Sequence, residues 1–161
     1  MIKMSTAIKI KDQNVGLGDE ITQYCGFMVG EDFYAVSVLD VQEVIRPQKV
    51  TSVPLSEKCI HGLINLRGQI VTAMSLRELF GLENKYKGDF MNVIVRHDNS
   101  LVALMVDQIC DVMDLTNETW EKTPETIDGK LKPYVQGVHK LNKRLLIVLD
   151  LDRIINKKSN S

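Results

Sequence analysis

The chain has 161 residues, 20 basic and 21 acidic side chains, a formal net charge of -1, 44% hydrophobic residues and only 6% aromatics. That length supports one domain, or two small subdomains on a common core, without a disulfide or metal staple. The balanced charge argues against nucleic acid as the main partner, which needs a basic face. The longest apolar run, Leu101–Val106, is six residues, where a membrane-spanning helix needs about 20.

Residues 1–21 are polar, carry Gly16 and Gly18, and show no sustained period, so they read as a mobile leader. Lys3, Lys9 and Lys11 interrupt this segment and no apolar stretch follows, which is not the pattern of a secretion signal. The expected location is the cytoplasm, with no direct membrane insertion. From Tyr24 to Val38 two alternating runs flank a Gly30-Glu31-Asp32 turn, and 92–96 and 101–106 repeat this around His97-Asp98-Asn99-Ser100. Ser75 and Glu78 form a capping box ahead of Gly81, and Asp150 caps a second short helix with Leu151, Ile154 and Ile155 on one face. The stretch 118–133 holds two prolines and little period and reads as loop. Residues 157–161 read as a disordered tail. Cys25, Cys59 and Cys110 are odd in number and show no Cys-x-x-Cys spacing, so they are expected to be mostly buried thiols.

The chain repeats itself. At a shift of 75 residues Gly62 falls on Gly137, Leu66 on Leu141, Val71 on Leu146, Ser75 on Asp150 and Leu79 on Ile154, without a gap. At a shift of 68 Phe27 falls on Val95, Val36 on Leu104, Val41 on Ile109 and Val44 on Val112. Each half reads strand, turn, strand, crossing segment, glycine-led strand pair, capped helix. Units this small are expected to pack on one another.

Catalytic signatures are missing. There is no phosphate-binding or dinucleotide glycine loop, no Gly-x-Ser-x-Gly elbow and no His-Glu-x-x-His. His97 sits in a turn and is expected to be solvated. His61 and His139 lie next to the repeat glycines, where they read as polar strand-end positions. Asp107 and Asp111 read as solvated carboxylates. No cofactor and no metal are expected, and the pattern fits a binding module, not an enzyme.

Three segments carry a resemblance. The first is Phe33-Tyr34-Ala35-Val36 with Val41-Gln42-Glu43-Val44-Ile45. The second is Val53-Pro54, then Gly62-Leu63-Ile64-Asn65-Leu66-Arg67-Gly68-Gln69-Ile70-Val71, then Leu76-Arg77. The third is Leu104-Met105-Val106-Asp107 with Ile109 and Val112. In this order and spacing, over about residues 22–156, the chain resembles the CheW-like bacterial chemotaxis coupling proteins. The resemblance implies a mainly β fold of two pseudo-symmetric, five-stranded SH3-like barrels on a shared core. It divides the chain into residues 22–85, mainly the first barrel, and 86–156, mainly the second, with strand exchange allowed. It also implies a non-catalytic adaptor that links the cytoplasmic helical tips of chemoreceptors to the regulatory domain of a histidine kinase, in arrays at the inner face of the membrane. Glu43 and Arg67 become interface residues joined by an ion pair, which if exposed would be worth about 0–1 kcal/mol. Gly62 shapes the adjoining loop, and Val41, Ile109 and Val112, core residues by default, include some that reach a groove between the barrels.

The chain departs from the family pattern at Thr72, where proline is usual, and at Ser75 in place of an aspartate. Serine still caps, and the loss of proline is expected to loosen that strand. These changes open the choice of partner. An adaptor of a non-motility chemosensory pathway, or a receptor-only array component, is the alternative. A small nucleic-acid-binding barrel stands lower, because it needs basic grooves and stacking aromatics.

Overall fold

The runs Tyr24–Val29 and Phe33–Val36 carry apolar residues on both faces of a strand, so each strand must be covered twice. The computed structural model, which describes residues 2–3, 20–54, 56–83 and 90–156, shows how. Twelve strands and two short helices follow one another along the described chain. They are β1 (Ile2–Lys3), β2 (Thr22–Val29), β3 (Asp32–Ser37), β4 (Val41–Ile45), β5 (Ile60–Leu66), β6 (Gln69–Ser75), α1 (Leu76–Leu79), β7 (Met91–His97), β8 (Ser100–Val106), β9 (Gln108–Leu115), β10 (Trp120–Glu121), β11 (Val135–Lys140), β12 (Leu145–Leu149) and α2 (Leu151–Asn156). One sheet has the order β1-β4-β7-β8-β6-β5 and the other β10-β11-β12-β3-β2-β9.

Alternate residues serve different cores. Cys25, Phe27, Tyr34 and Val36 of β2 and β3 meet Val93, Val95, Val102 and Leu104 of β7 and β8 in a core shared by the two sheets. There Tyr34 stacks on Phe80 at 5.0 Å between ring centroids. The intervening residues turn the other way. Tyr24, Phe33 and Ala35 fill the interior of the second unit, while Ile94, Ala103 and Met105 fill that of the first.

The repeat is visible in the strand register. Phe27 pairs with Tyr34 as Val95 pairs with Val102. Val41 pairs with Val95 as Ile109 pairs with Phe27. Thr72 pairs in parallel with Val102 as Ile147 does with Tyr34. Even the bulges coincide, between Ile60 and Gly62 in one half and between Val135 and Gly137 in the other. The pairings also show that repeat halves and sheets divide the chain differently. Strands β4 to β8 are contiguous and, with β1, make the first sheet, while the second takes β2 and β3 from the first half and β9 to β12 from the second.

No continuous ladder closes either sheet among the described residues. A bend bridges each instead. Beyond β4, Thr51 pairs with Leu63 of β5, both N–H groups donating across at 2.8–2.9 Å. Beyond β9, a 3-10 turn leads into β10, which pairs with β11. Strand β10 lies in the stretch read from sequence as loop, because two residues show no period. Strand β1 lies within the expected leader, pairing Ile2 with Val44 and Lys3 with Glu43. The rest of that leader, and the tail 157–161, fall outside the described residues. At Thr72 the strand β6 is paired on both sides, to Leu63 and to Val102.

The bends explain the matched glycines. A Cβ on Gly62 would stand 2.4 Å from the Thr51 carbonyl oxygen, and one on Gly137 would stand 2.3 Å from the Trp120 ring. Each glycine lets the closing segment cross over its strand. Gly62→Ala meets backbone at φ +154°, whereas Gly68, at φ +86°, has open space around it. Gly62→Ala is expected to cost about 2–4 kcal/mol and Gly68→Ala about 1 kcal/mol. Urea unfolding of the two variants measures the difference, and equal losses would mean that the crossing at Thr51 is loose.

Candidate partner-binding surface

Strand β4 carries a bulge between Val41 and Glu43, after which its residues alternate in direction. Val41 and Val44 enter the shared core, and Ile45 enters the interior of the first unit. Glu43, two residues before Ile45, shares that inward direction, and it is 1% exposed. Its Oε1 accepts a hydrogen bond from Nη2 of Arg67. Its Oε2 has no hydrogen-bond partner among the described residues.

The turn sequence places the arginine. Strands β5 and β6 join through Arg67 at φ 51° and Gly68 at φ 86°, the two positive φ values of a type I′ hairpin turn. The Gly68 N–H donates to Asn65 Oδ1 at 3.0 Å. Asn65 therefore ties the turn, Gly68 takes its second position, and Arg67 adopts a left-handed conformation at a cost of about 1–2 kcal/mol. The charge-assisted contact to Glu43 offsets that strain. The Arg67 side chain stays 54% exposed. The expected ion pair is therefore present but half-enclosed: an open guanidinium covers an enclosed carboxylate.

Across the same hairpin Ile70 is paired with Asn65 and is 63% exposed. It opens onto a cavity of about 600 Å³, lined also by Met74, Leu101, Val102 and Ile155, between β6, β8 and α2. Arg67 belongs to the same hairpin but turns to Glu43 and does not line this cavity. In the sequence Ile70 stands inside the Gly62–Val71 segment with nothing local to show that it would be open.

The other candidate residues lie elsewhere. Val41 is buried in the shared core, which leaves nothing for a partner to touch. Ile109 is half-buried against that core. Val112 is exposed on β9, the last strand of the second sheet. Gly62 acts through the crossing described above. The structure therefore joins Glu43 to Arg67 and sets Ile109 and Val112 on a separate edge.

Asp107 is not the solvated carboxylate expected. It is the single residue between β8 and β9, where the chain passes from one sheet to the other. Arg77 Nε donates to its Oδ1 at 2.7 Å and Arg77 Nη2 to its Oδ2 at 2.6 Å. The Gly30 N–H in the β2–β3 turn donates to the same Oδ2 at 2.7 Å. This bidentate clasp ties α1 of the first unit to a hairpin of the second. Arg77 and Asp107 each stood in a recognised segment, but 30 residues apart, with no local sign that they meet.

His61 and His139 do not form a cluster. His61 is exposed on β5 of the first sheet, whereas His139 is buried in the second unit. There Nδ1 lies 2.8 Å from the Thr119 hydroxyl and Nε2 lies 3.2 Å from the Tyr24 hydroxyl, so both ring nitrogens have partners. Cys25 and Cys59 are buried and Cys110 is half-buried. Burial pushes the Cys25 thiol up to about 11, which leaves no thiolate near neutrality.

Removing the guanidinium strands the Glu43 carboxylate. Arg67→Ala is expected to lower stability by about 1–3 kcal/mol, less than the loss for a fully enclosed pair because water reaches the exposed half. Urea denaturation at neutral pH checks this. A change within about 0.5 kcal/mol of wild type would mean that the contact contributes little to folding.

Residues 23–159 match the family model of the CheW-like domain. The chain is 30% identical to the chemotaxis protein CheW of Bacillus subtilis over 135 residues, covering 83% of this chain and 86% of that protein. It is 29% identical to the chemotaxis protein CheW of Helicobacter pylori over 140 residues, covering 86% and 84%. Its fold is similar to the crystal structure of the scaffolding protein TtCheW from Thermoanaerobacter tengcongensis, with a TM-score of 0.73, 28% sequence identity, and 81% and 90% of the two chains covered. The matched span holds both sheets apart from β1 and the first residue of β2, together with the Glu43–Arg67 pair and the Arg77–Asp107 clasp, and the chain belongs to the CheW-like family.

Proposed function

We propose that this chain is a non-catalytic chemotaxis adaptor that couples the cytoplasmic helical tips of chemoreceptors to the regulatory domain of a histidine kinase, at the inner face of the membrane. The observation that carries the reading is the family match over residues 23–159. The names of its relatives, a chemotaxis protein and a scaffolding protein, support the same role.

An adaptor has to offer two surfaces at once. Two separate surfaces suit that need. One is the β5–β6 hairpin, with Arg67 and Ile70; the other is the β9 edge, with Ile109 and Val112. Glu43 acts from beneath as a positioning residue. It holds the Arg67 guanidinium at the rim, which reduces the rotamer freedom lost when a partner binds. Contacts built on so few anchors are weak one at a time. They suit an array that gains strength from repeated copies.

Titration calorimetry against the regulatory domain of each chemotaxis kinase of the same organism tests the reading and names the pathway. Arg67→Gln and Ile70→Ser are each expected to weaken binding of one partner about tenfold or more, as loss of an interface anchor does. Ile70→Ser is the cleaner variant, because its side chain is largely exposed and the fold does not depend on it. Full affinity in both folded variants would remove the hairpin from the interface. No binding of any kinase domain by the folded wild-type protein would leave a receptor-only component as the better reading.

A further inference from the structure

The seam between the two units is fastened at two places that the repeat relates. On one side Arg77 of α1 reaches Asp107, which also holds the Gly30 N–H of the β2–β3 turn. At the shift of 75 Arg77 falls on Asp152 of α2, and at the shift of 68 the β2–β3 turn falls on the β7–β8 turn. There Asp152 Oδ1 lies 3.1 Å from His97 Nε2 and accepts from Asn156 Nδ2 at 2.6 Å. Both sites join a helix that follows one sheet to a hairpin of the other, with the helix charge reversed. The first uses a guanidinium, which stays charged at all relevant pH. The second uses an imidazole, which does not.

We propose that the His97–Asp152 contact is a proton-dependent latch: protonated His97 holds α2 to the β7–β8 turn, and neutral His97 loosens that end of the seam while the Arg77–Asp107 end stays closed.

The surroundings suit this. His97 faces carboxylates from each element packed against it: Asp152 on α2, Asp98 in its own turn at 3.4 Å, and Asp40 in the 3-10 turn after β3. The nearby arginines are engaged elsewhere, Arg153 with Asp150 and Arg96 with Gln42. A cavity of about 410 Å³, lined by Asp40, His97, Asp150 and Asp152 among others, adjoins the contact. The hydrogen bond to Asp152, then the fields of Asp98, Asp152 and Asp40, hold the imidazolium above its ordinary 6.5 against an opposing desolvation. A raised value in the folded state means that folding strengthens proton binding. The latch therefore contributes fully below pH 6.5 and is lost as pH rises through the folded value. His139 acts in the opposite sense. Burial lowers its pKa, so its contribution is complete above pH 6.5 and lost as pH falls. The two histidines are thus separable by direction.

Imidazole NMR of the full chain measures the His97 midpoint in wild type and in Asp152→Asn. Amide exchange in α2, compared at about pH 8.5 between wild type and His97→Arg, measures the latch itself. The expected results are a midpoint above 6.5 that falls in Asp152→Asn, and α2 amides about two- to fivefold better protected in His97→Arg, with that difference gone at about pH 5.5. An ordinary midpoint unmoved by Asp152→Asn, or equal α2 protection in the two proteins at both pH values, overturns the proposal. Should His97→Arg fail to fold, as circular dichroism would reveal, the Asp152→Asn midpoint decides.

Discussion

Strand β4 leaves the β2–β3 hairpin after one 3-10 turn, and β9 leaves the β7–β8 hairpin after a single residue; each then pairs with the other hairpin's first strand. The rest of the molecule follows from this reciprocal exchange. It places both hairpins back to back, so that one face of each strand enters a common core and the other face enters its own unit. Neither unit keeps its full set of core contacts if the other is removed. The exchange therefore interlocks the two units.

The exchange also concentrates polar work at the crossings. Asp107 is the residue at one crossing, and it gathers Arg77 and the β2–β3 turn around itself. Asp40 ends the 3-10 turn at the other crossing, beside His97. A chain that changes sheets exposes its backbone for a residue or two, and charged side chains there satisfy neighbouring groups while fixing the angle between the units. The Glu43–Arg67 pair applies the same device at a rim. A carboxylate enclosed by apolar neighbours is costly unless paired, so its presence keeps the half-open guanidinium in one place.

The repeat was legible in the sequence because burial on both faces leaves little freedom in the type of residue at each strand position. Matching apolar residues at fixed shifts therefore reported matching strands, and the glycines at 62 and 137 reported the two crossings. The capped helices were legible because a cap is a local contact between residues three apart. Strands β1 and β10 were not, since two residues carry no period. The Arg67 turn could be recognised as a motif, but not the direction of Glu43, because a bulge between Val41 and Glu43 resets which face each residue takes.

The sequence by itself determined the strand-turn-strand units, their duplication, the caps and the family. These depend on spacing along the chain, and spacing is what a sequence records. Only the tertiary structure decided which hairpin each crossing strand joins, that Glu43 is enclosed beneath Arg67, that Ile70 is open, and that Arg77 with Asp107 and His97 with Asp152 fasten the same seam. Those pairings bring together residues 24 to 55 positions apart. Their energies depend on burial and direction, which exist only once the two units have closed on each other.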